Sequence, residues 1–500
     1  MRNRFQRLNS VFHVQGYLLE SLGVVFLAPL IVVLLYWGRR GEGLHTLLAF
    51  AVPSALSFAA GRFLRTAFRG KALDATGSIL VCGLGWVIAS AAGALPFVMG
   101  VGTSYLNAYF EAMSGFTTTG ITLFEGLDSM APSILFWRAV TQWVGGIGIL
   151  SFFLAVTFKG SGAHHIFGAE SHKISSTRPA PGLSHTLKIL WGIYGIFTLG
   201  SAVALSLEGM PVFDGICHSM TALSTGGFSP HDASIGHYAL HGYLHYRLIE
   251  YTVMAAMMLG GINFLVHYRV LTGDFRALWD NAEIRWWWRL IGGFTALVII
   301  DHLHRFGWGF EATRIERILR YSAFQVTSIL TTTGFTTKDI ATGFFPALAK
   351  QLFLTMMLIG GCVGSTGGGI KVMRVVVLSR LMRREVYKLR VSRNASTRLI
   401  VDRRAVSDDE SHRTAALFFM WIVLVVVGGG ITALLSRHGA LESISGMFSA
   451  LGNIGPCYLS VGDMIALHPL IKMTYIFGML AGRLEILPVL LLFSRKAWRG

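Results

Sequence analysis

Long apolar stretches divide this chain, at residues 14–37, 44–60, 76–99, 134–158, 184–207, 243–268, 286–302, 346–381, 414–436 and 463–493. Most run for about 20 residues or more, the length a helix needs to cross the hydrocarbon core of a bilayer. Every backbone amide at that depth must be satisfied within its own segment, which a helix does alone. With 53% hydrophobic and 14% charged residues, the sequence describes an all-α polytopic membrane protein.

The formal charge of +17 would point to nucleic acid in a soluble protein. Here Lys and Arg gather between particular apolar segments, at Arg2, Arg4 and Arg7, at Arg62, Arg65, Arg69 and Lys71, and most densely over 380–413. Positive-inside topology explains that clustering, puts the N-terminus in the cytoplasm and leaves no nucleic-acid partner expected. No small-residue cleavage site follows the first apolar run and a second comes directly after, so the first reads as a retained helix rather than a signal peptide. Cys82, Cys217, Cys362 and Cys457 are scattered without a CxxC pair, so neither a disulfide framework nor a zinc site is indicated.

Four shorter apolar segments, 104–116, 211–223, 313–330 and 439–451, alternate with the long ones. The first has only about 13 residues, too few to span, and reads as a re-entrant half-helix. Each runs into a small turn closed by glycine. These are Thr117-Thr118-Thr119-Gly120, Leu223-Ser224-Thr225-Gly226, Thr331-Thr332-Thr333-Gly334 and, in shape only, Gly452-Asn453-Ile454-Gly455; their closing glycines lie 106, 108 and 121 residues apart. Small pairs follow in each returning segment: Gly145-Gly146, Gly260-Gly261, Gly360-Gly361 and Ala481-Gly482. Ordinary close packing of helices and a place lining a path both account for them. The expected architecture is four helix/re-entrant pore helix/helix repeats around a pore plus an N-terminal two-helix hairpin. The hairpin takes 1–70, and the repeats 71–165, 166–275, 276–400 and 401–500.

Non-helical backbone at membrane depth is tolerated where it is buried or lines a water-filled path. Four such turns around one axis can present carbonyl oxygens that replace the hydration shell of a monovalent cation. Glycine at the closing position allows the positive φ that this arrangement needs, and each short helix aims its partially negative C-terminus at the axis. Acids follow the turns at Glu125, Asp128, Asp232, Asp339 and Asp463; concentrating cations and capping helices are compatible roles for them.

The third returning segment is interrupted by Gly364-Ser365-Thr366-Gly367-Gly368-Gly369-Ile370-Lys371. It fails the phosphate-binding pattern, because Ile370 precedes Lys371 and Val372 stands where Ser or Thr is required. Each helix-interior glycine costs on the order of 1 kcal/mol relative to alanine, so the run should leave the helix; lying below the turns it is placed to obstruct the path as a gate, a passive kink being the alternative. Arg483 and Glu485 are ionisable at membrane depth, where charge must be paired or wet. Two residues apart they do not face each other, so Arg483 is expected to reach toward the glycine loop or the path, with pairing to a neighbouring helix as the alternative. Arg138, Lys350 and Lys472 are expected to snorkel or to form structural pairs. His164, His165 and His172 lack zinc-ligand spacing, and the sequon Asn394-Ala395-Ser396 falls on the cytoplasmic side.

Taken with Phe110-Glu111-Ala112-Met113-Ser114-Gly115 ahead of the first turn and Gly226-Gly227-Phe228-Ser229-Pro230-His231-Asp232 at the second, the sequence resembles the TrkH family of bacterial potassium-uptake proteins, in the Trk/Ktr/HKT superfamily, over nearly its whole length. The resemblance implies a potassium-selective pore subunit of the bacterial inner membrane. It also implies a homodimer regulated by a cytoplasmic nucleotide-binding subunit of the TrkA type. K+ is then the transported ion, with no cofactor in this chain and no transition metal. Related plant proteins carry serine at the first filter glycine where sodium is moved; Gly120 here fits potassium. Cys457-Tyr458 departs from the family, which commonly has a further glycine there. A Na+/K+ symporter or H+-coupled carrier of the same superfamily is the alternative. A membrane enzyme is disfavoured, since no nucleophile and base cluster at one depth.

Overall fold

The computed structural model describes residues 6–70, 73–148, 183–307, 311–390, 397–402 and 404–499. His164, His165, His172 and the sequon at Asn394 lie outside them.

The described residues form a bundle of helices with one two-stranded hairpin, Leu399–Val401 against Arg404–Val406. Five stretches, Arg7–Leu35, Leu44–Ala67, Ala75–Val101, His185–Leu207 and Asp408–Leu435, are long and apolar enough to cross a membrane. Leu34, Leu199, Leu207, Phe419 and Val426 stand exposed on such helices, a surface that suits lipid rather than water. The N-terminal helices Gln6–Val25 and Leu44–Ala67 meet at Gly16 and Gly61, where a Cβ on either would run into the backbone of the other helix. Ser54 donates to the Gly23 carbonyl at 2.8 Å, and Arg65 pairs with Glu20.

The short helices form as expected at Tyr105–Phe116, Val212–Leu223 and Ala440–Gly452. The third, Ala312–Leu330, has 19 residues; its N-terminal part carries Arg314, Glu316, Arg317 and Arg320, and continuous burial begins only at Phe324.

Two returning segments that read as continuous apolar runs are broken. Tyr246–Gly261 and Phe264–Leu271 meet at 106°, with Asn263 capping the second helix through Leu265 N at 2.8 Å. Pro469–Leu484 and Ile486–Leu492 meet at 119°. Pro488 cannot donate to the Leu484 carbonyl, so the helix stops there, and Glu485 takes a positive φ of 59° at the break. A third segment unwinds as the glycine content predicts, between the helices Ala347–Leu358 and Val372–Lys388.

The buried apolar residues fall into three clusters. One joins the N-terminal hairpin to the first and fourth turn regions; the others lie around the third and the second.

Candidate functional site

The four short helices end in turns of the same geometry. Thr118, Thr225, Thr332 and Asn453 all adopt left-handed φ, between 51° and 58°, and Gly120, Gly227, Gly334 and Gly455 follow two residues later with φ of 76° to 105°. This corrects the second turn. Gly227, and not Gly226, is the equivalent of Gly120, so that turn runs Ser224-Thr225-Gly226-Gly227 and Leu223 closes the helix before it. The amide bonds agree: Thr119, Gly226, Thr333 and Ile454 donate to Ser114, Thr221, Ser328 and Ser449 carbonyls respectively.

The turns touch in a closed order. A Cβ built on Gly120 would strike the Gly226 carbonyl oxygen, one on Gly227 that of Thr333, and one on Gly334 that of Ile454; on Gly455 it would lie 3.1 Å from that of Thr119. Each closing glycine therefore lies against the carbonyl of the next turn, round a ring of four. Within it the carbonyl oxygens of Thr118, Thr119, Thr225, Thr332, Thr333 and Ile454 accept no hydrogen bond from a described residue. Buried carbonyls are nearly always paired, so this concentration of open acceptors is chemically suited to a positive charge.

Hydroxyls hold the turns rigid. Thr117 Oγ1 lies 2.8 Å from Thr119 Oγ1, and Thr331 Oγ1 2.7 Å from Thr333 Oγ1. In the fourth turn, where Ile454 brings no hydroxyl, Asn453 Nδ2 crosses to Thr119 Oγ1 at 2.9 Å. The departure at Cys457-Tyr458 is absorbed locally, with Tyr458 Oη donating to the Lys350 carbonyl at 2.8 Å and its amide to Ser445 Oγ at 2.9 Å.

The glycine pairs serve close packing on the turns. A Cβ on Gly145 would collide with the Phe116 carbonyl and one on Gly482 with that of Leu451; on Gly260 it would crowd that of Leu223.

The glycine-rich run packs directly against the turns. Thr366 Oγ1 donates to the Leu223 carbonyl at 2.9 Å and lies 3.1 Å from Thr225 Oγ1, while the Gly368 amide donates to Thr332 Oγ1 at 2.8 Å. Gly364 and Gly369 have positive φ, and Lys371 Nζ folds back onto the Gly367 carbonyl. Ser365 Oγ receives the Gly367 amide at 3.3 Å.

Arg483 completes the same layer. Its guanidinium donates to Thr118 Oγ1 at 3.1 Å, the Thr366 carbonyl at 2.6 Å, and the Gly145 and Gly146 carbonyls at 2.7 Å each. Glu485 points elsewhere and pairs with Arg374 at 2.5 Å. A cavity of about 100 Å³ is lined by this loop, Arg483, Glu485, Trp86 and Phe264.

Several residues that matter here were not singled out in the sequence. Glu111, fully buried, accepts from Arg138 Nε at 2.9 Å, Thr122 Oγ1 at 2.9 Å and Leu123 N at 2.9 Å. Arg138 also reaches the Ser229 carbonyl at 2.8 Å, so it is an internal strut between the first two turns and does not snorkel. Lys472 is likewise internal, on Asn107 Oδ1 at 2.9 Å, while Lys350 reaches the Ala341 carbonyl at 2.6 Å. His218 and Gln325 stand six residues before their turns just as Glu111 does. That repeated polar residue in an otherwise apolar short helix was the signal available. Gln142, on the first returning helix, spans the second turn by donating to the Gly226 carbonyl at 2.7 Å and accepting from Phe228 N at 2.9 Å.

The acids after the turns do local work. Asp463 forms a capping box with Ser460, Asp339 accepts from Ala341 N at 2.8 Å, and Asp232 receives the Leu127 amide at 3.1 Å. His231 lies between carboxylates, Nδ1 at 2.5 Å from Asp128 and Nε2 at 3.0 Å from Asp214, with His237 stacked on it at 3.6 Å. Burial alone would lower its pKa, but the Asp214 and Asp128 carboxylates outweigh that and raise it.

A multi-pass helical membrane protein with a ring of open backbone acceptors belongs to the ion-transporting class, and comparison with known proteins agrees. The family model TrkH, described as cation transport protein, matches residues 49–292 and 313–499. The Trk system potassium uptake protein TrkH of Salmonella typhimurium is 32% identical over 499 residues, covering 98% of this chain and 99% of that one. Its namesake from Vibrio parahaemolyticus is 32% identical, covering 99% and 100%. The crystal structure of the potassium transporter TrkH from Vibrio parahaemolyticus superposes with a TM-score of 0.85 at 30% identity, covering 98% of this chain and 100% of that one. The chain belongs to the TrkH family of cation transport proteins.

Arg138→Ala is expected to lower stability by about 3–5 kcal/mol, since it strands a buried carboxylate. Combined with Glu111→Ala, the loss in thermal unfolding should be less than the sum; simple additivity would contradict the pairing. The His231 link has a raised folded pKa, so it contributes fully below about pH 6.5, the ordinary histidine value, and is lost as pH rises through the folded value. Melting temperature should therefore fall as pH rises above about 6.5, and His231→Asn should flatten the fall; an unaltered slope would contradict the assignment.

Proposed function

We propose that this chain is the pore-forming subunit of a potassium uptake system, moving dehydrated K+ inward through the ring of four turns. The observation that carries this reading is the set of buried carbonyls with no donor among the described residues, gathered where four helix C-termini meet. A cation that has shed its water regains oxygen ligands there. The names of the relatives, Trk system potassium uptake protein, favour K+ as the ion. The selectivity filter comprises Thr117–Gly120, Ser224–Gly227, Thr331–Gly334 and Asn453–Gly455. In this reading the chain is a two-helix hairpin at 1–70 followed by pore repeats at 71–165, 166–275, 276–400 and 401–500.

The loop from Gly364 to Lys371, with Arg483, acts as the gate. It occupies the space against the undersides of the turns and is bonded to three of them, so passage requires those bonds to part. The membrane potential drives uptake in part, since one charge moved across 100 mV is worth roughly 2.3 kcal/mol. The N-terminus and the basic 380–413 region face the cytoplasm of a bacterium, as their charge favours. There a nucleotide-binding subunit of the TrkA type would act on a homodimer, as befits a relative of proteins that work in a Trk system.

Bacteria lacking their own potassium uptake should take up Rb+ and K+ when this chain and its soluble partner are supplied; absence of uptake despite membrane insertion would overturn the reading. Gly227→Ser should weaken discrimination against Na+ as much as Gly120→Ser, because both glycines occupy the same ring position; an effect at Gly226 but none at Gly227 would contradict the corrected register. Deleting Gly367 to Gly369, or Arg483→Ala, should raise flux in the absence of the partner, and unaltered basal flux would argue against a gate there.

A further inference from the structure

One carboxylate outside the glycine-rich loop holds both of its ends. Glu283 lies in the first turn of the Ala282–Phe306 helix and is buried. Its Oε1 accepts from the Val363 amide at 2.8 Å, just before Gly364, and from the Met373 amide at 3.1 Å, in the first turn of the Val372–Lys388 helix. Helix capping does not explain this carboxylate, because Asn281 already caps that helix through Ile284 N at 2.9 Å. Both bonds of Glu283 leave its own helix. A loop rich in glycine has little conformational preference of its own, so the hydrogen bonds at its two ends carry much of the restraint.

The neighbouring residue extends the chain of contacts to the surface. The Ala282 amide donates to both Asp402 oxygens at 2.9 Å each, and Arg285 approaches Asp402 at 3.3 Å. Asp402, with φ of 46°, follows the first strand of the Leu399–Val406 hairpin. Arg380 Nη1 donates to the Ile400 carbonyl at 3.0 Å, fastening the hairpin to the helix that follows the loop. Hairpin, helix start and both loop ends thus form one hydrogen-bonded unit, and Ile400 is half exposed on the hairpin.

We propose that Glu283 is the positioning residue that holds the glycine-rich loop in its obstructing conformation, and that the Asp402 hairpin is the lever through which displacement at the basic face releases it. This rests on the reading of the loop as a gate and adds to it the device that sets the gate and the place where force enters.

Cys362, buried in the loop beside Val363, reports on loop release without any ion flux. The full-length protein is treated with N-ethylmaleimide, and the rate at each cysteine is read by peptide mass spectrometry. Glu283→Ala should speed alkylation of Cys362 by about fivefold or more, on the order expected for losing a hydrogen bond, with Cys82, Cys217 and Cys457 unchanged. Glu283→Gln keeps an acceptor oxygen and should retain the wild-type rate. Asp402→Ala should also speed Cys362. An unchanged Cys362 rate in Glu283→Ala, or an equal rise at all four cysteines, would overturn the proposal. Should Glu283→Ala fail to insert, Asp402→Ala decides: no change at Cys362 there overturns it equally. Rb+ flux on the same samples separates the two layers. Faster labelling with unchanged flux would keep the clamp and remove the gate.

Discussion

The contact between each closing glycine and the carbonyl of the next turn is what the rest of this structure depends on. It admits no side chain at Gly120, Gly227 or Gly334, so the four turns approach one another as bare backbone. That approach is possible only because the helices behind them also come close, at Gly145, Gly260 and Gly482. Small residues at two depths, in the turns and in the helices that follow, are therefore one constraint expressed twice. The strained left-handed conformations of Thr118, Thr225 and Thr332 are held in place by what lies beneath: Arg483, Thr366 and the Gly368 amide. Such conformations cost of order 1 kcal/mol or more each and persist where surroundings over-determine them.

The ring and the loop are consequently not independent parts. The side chains that fix the turn conformation are those that contact the loop and Arg483. Any movement of the loop removes hydrogen bonds from the second and third turns at once and takes from Arg483, which holds the first, its Thr366 carbonyl partner. The fourth differs, since Asn453 bonds to Thr119 and to the Met479 carbonyl at 2.9 Å instead. The first and second turns have their own supports in Glu111, Arg138 and Gln142, which bear on the side of the ring away from the loop's contacts.

Much of this was legible in the sequence because bilayer physics leaves few options. Runs long enough to span, short runs before polar turns, and glycine where a backbone must turn left each have one economical interpretation. The unwinding at Gly364–Gly369 and the divergence of Arg483 from Glu485 followed from helix propensity and helix geometry. The register of the second turn did not. With two adjacent glycines, Gly226 and Gly227, either can close a turn, and only the backbone dihedrals separate them. The bends at Asn263 and Glu485 were hidden by uniform hydrophobicity, although Pro488 marked the second. Glu111, His218 and Gln325 were visible as polar intruders, yet their partners are distant in the chain, and Glu283 bonds to amides about 80 residues and more away.

The central claim is that four backbone turns together make one cation site. A crystal of the protein grown in Rb+ and measured at the rubidium absorption edge tests it most directly. The account predicts an anomalous peak on the axis enclosed by Thr117–Gly120, Ser224–Gly227, Thr331–Gly334 and Asn453–Gly455, within coordination distance of carbonyls from all four. A well-ordered ring without such a peak at saturating Rb+, or a peak bound by one turn alone, would contradict it.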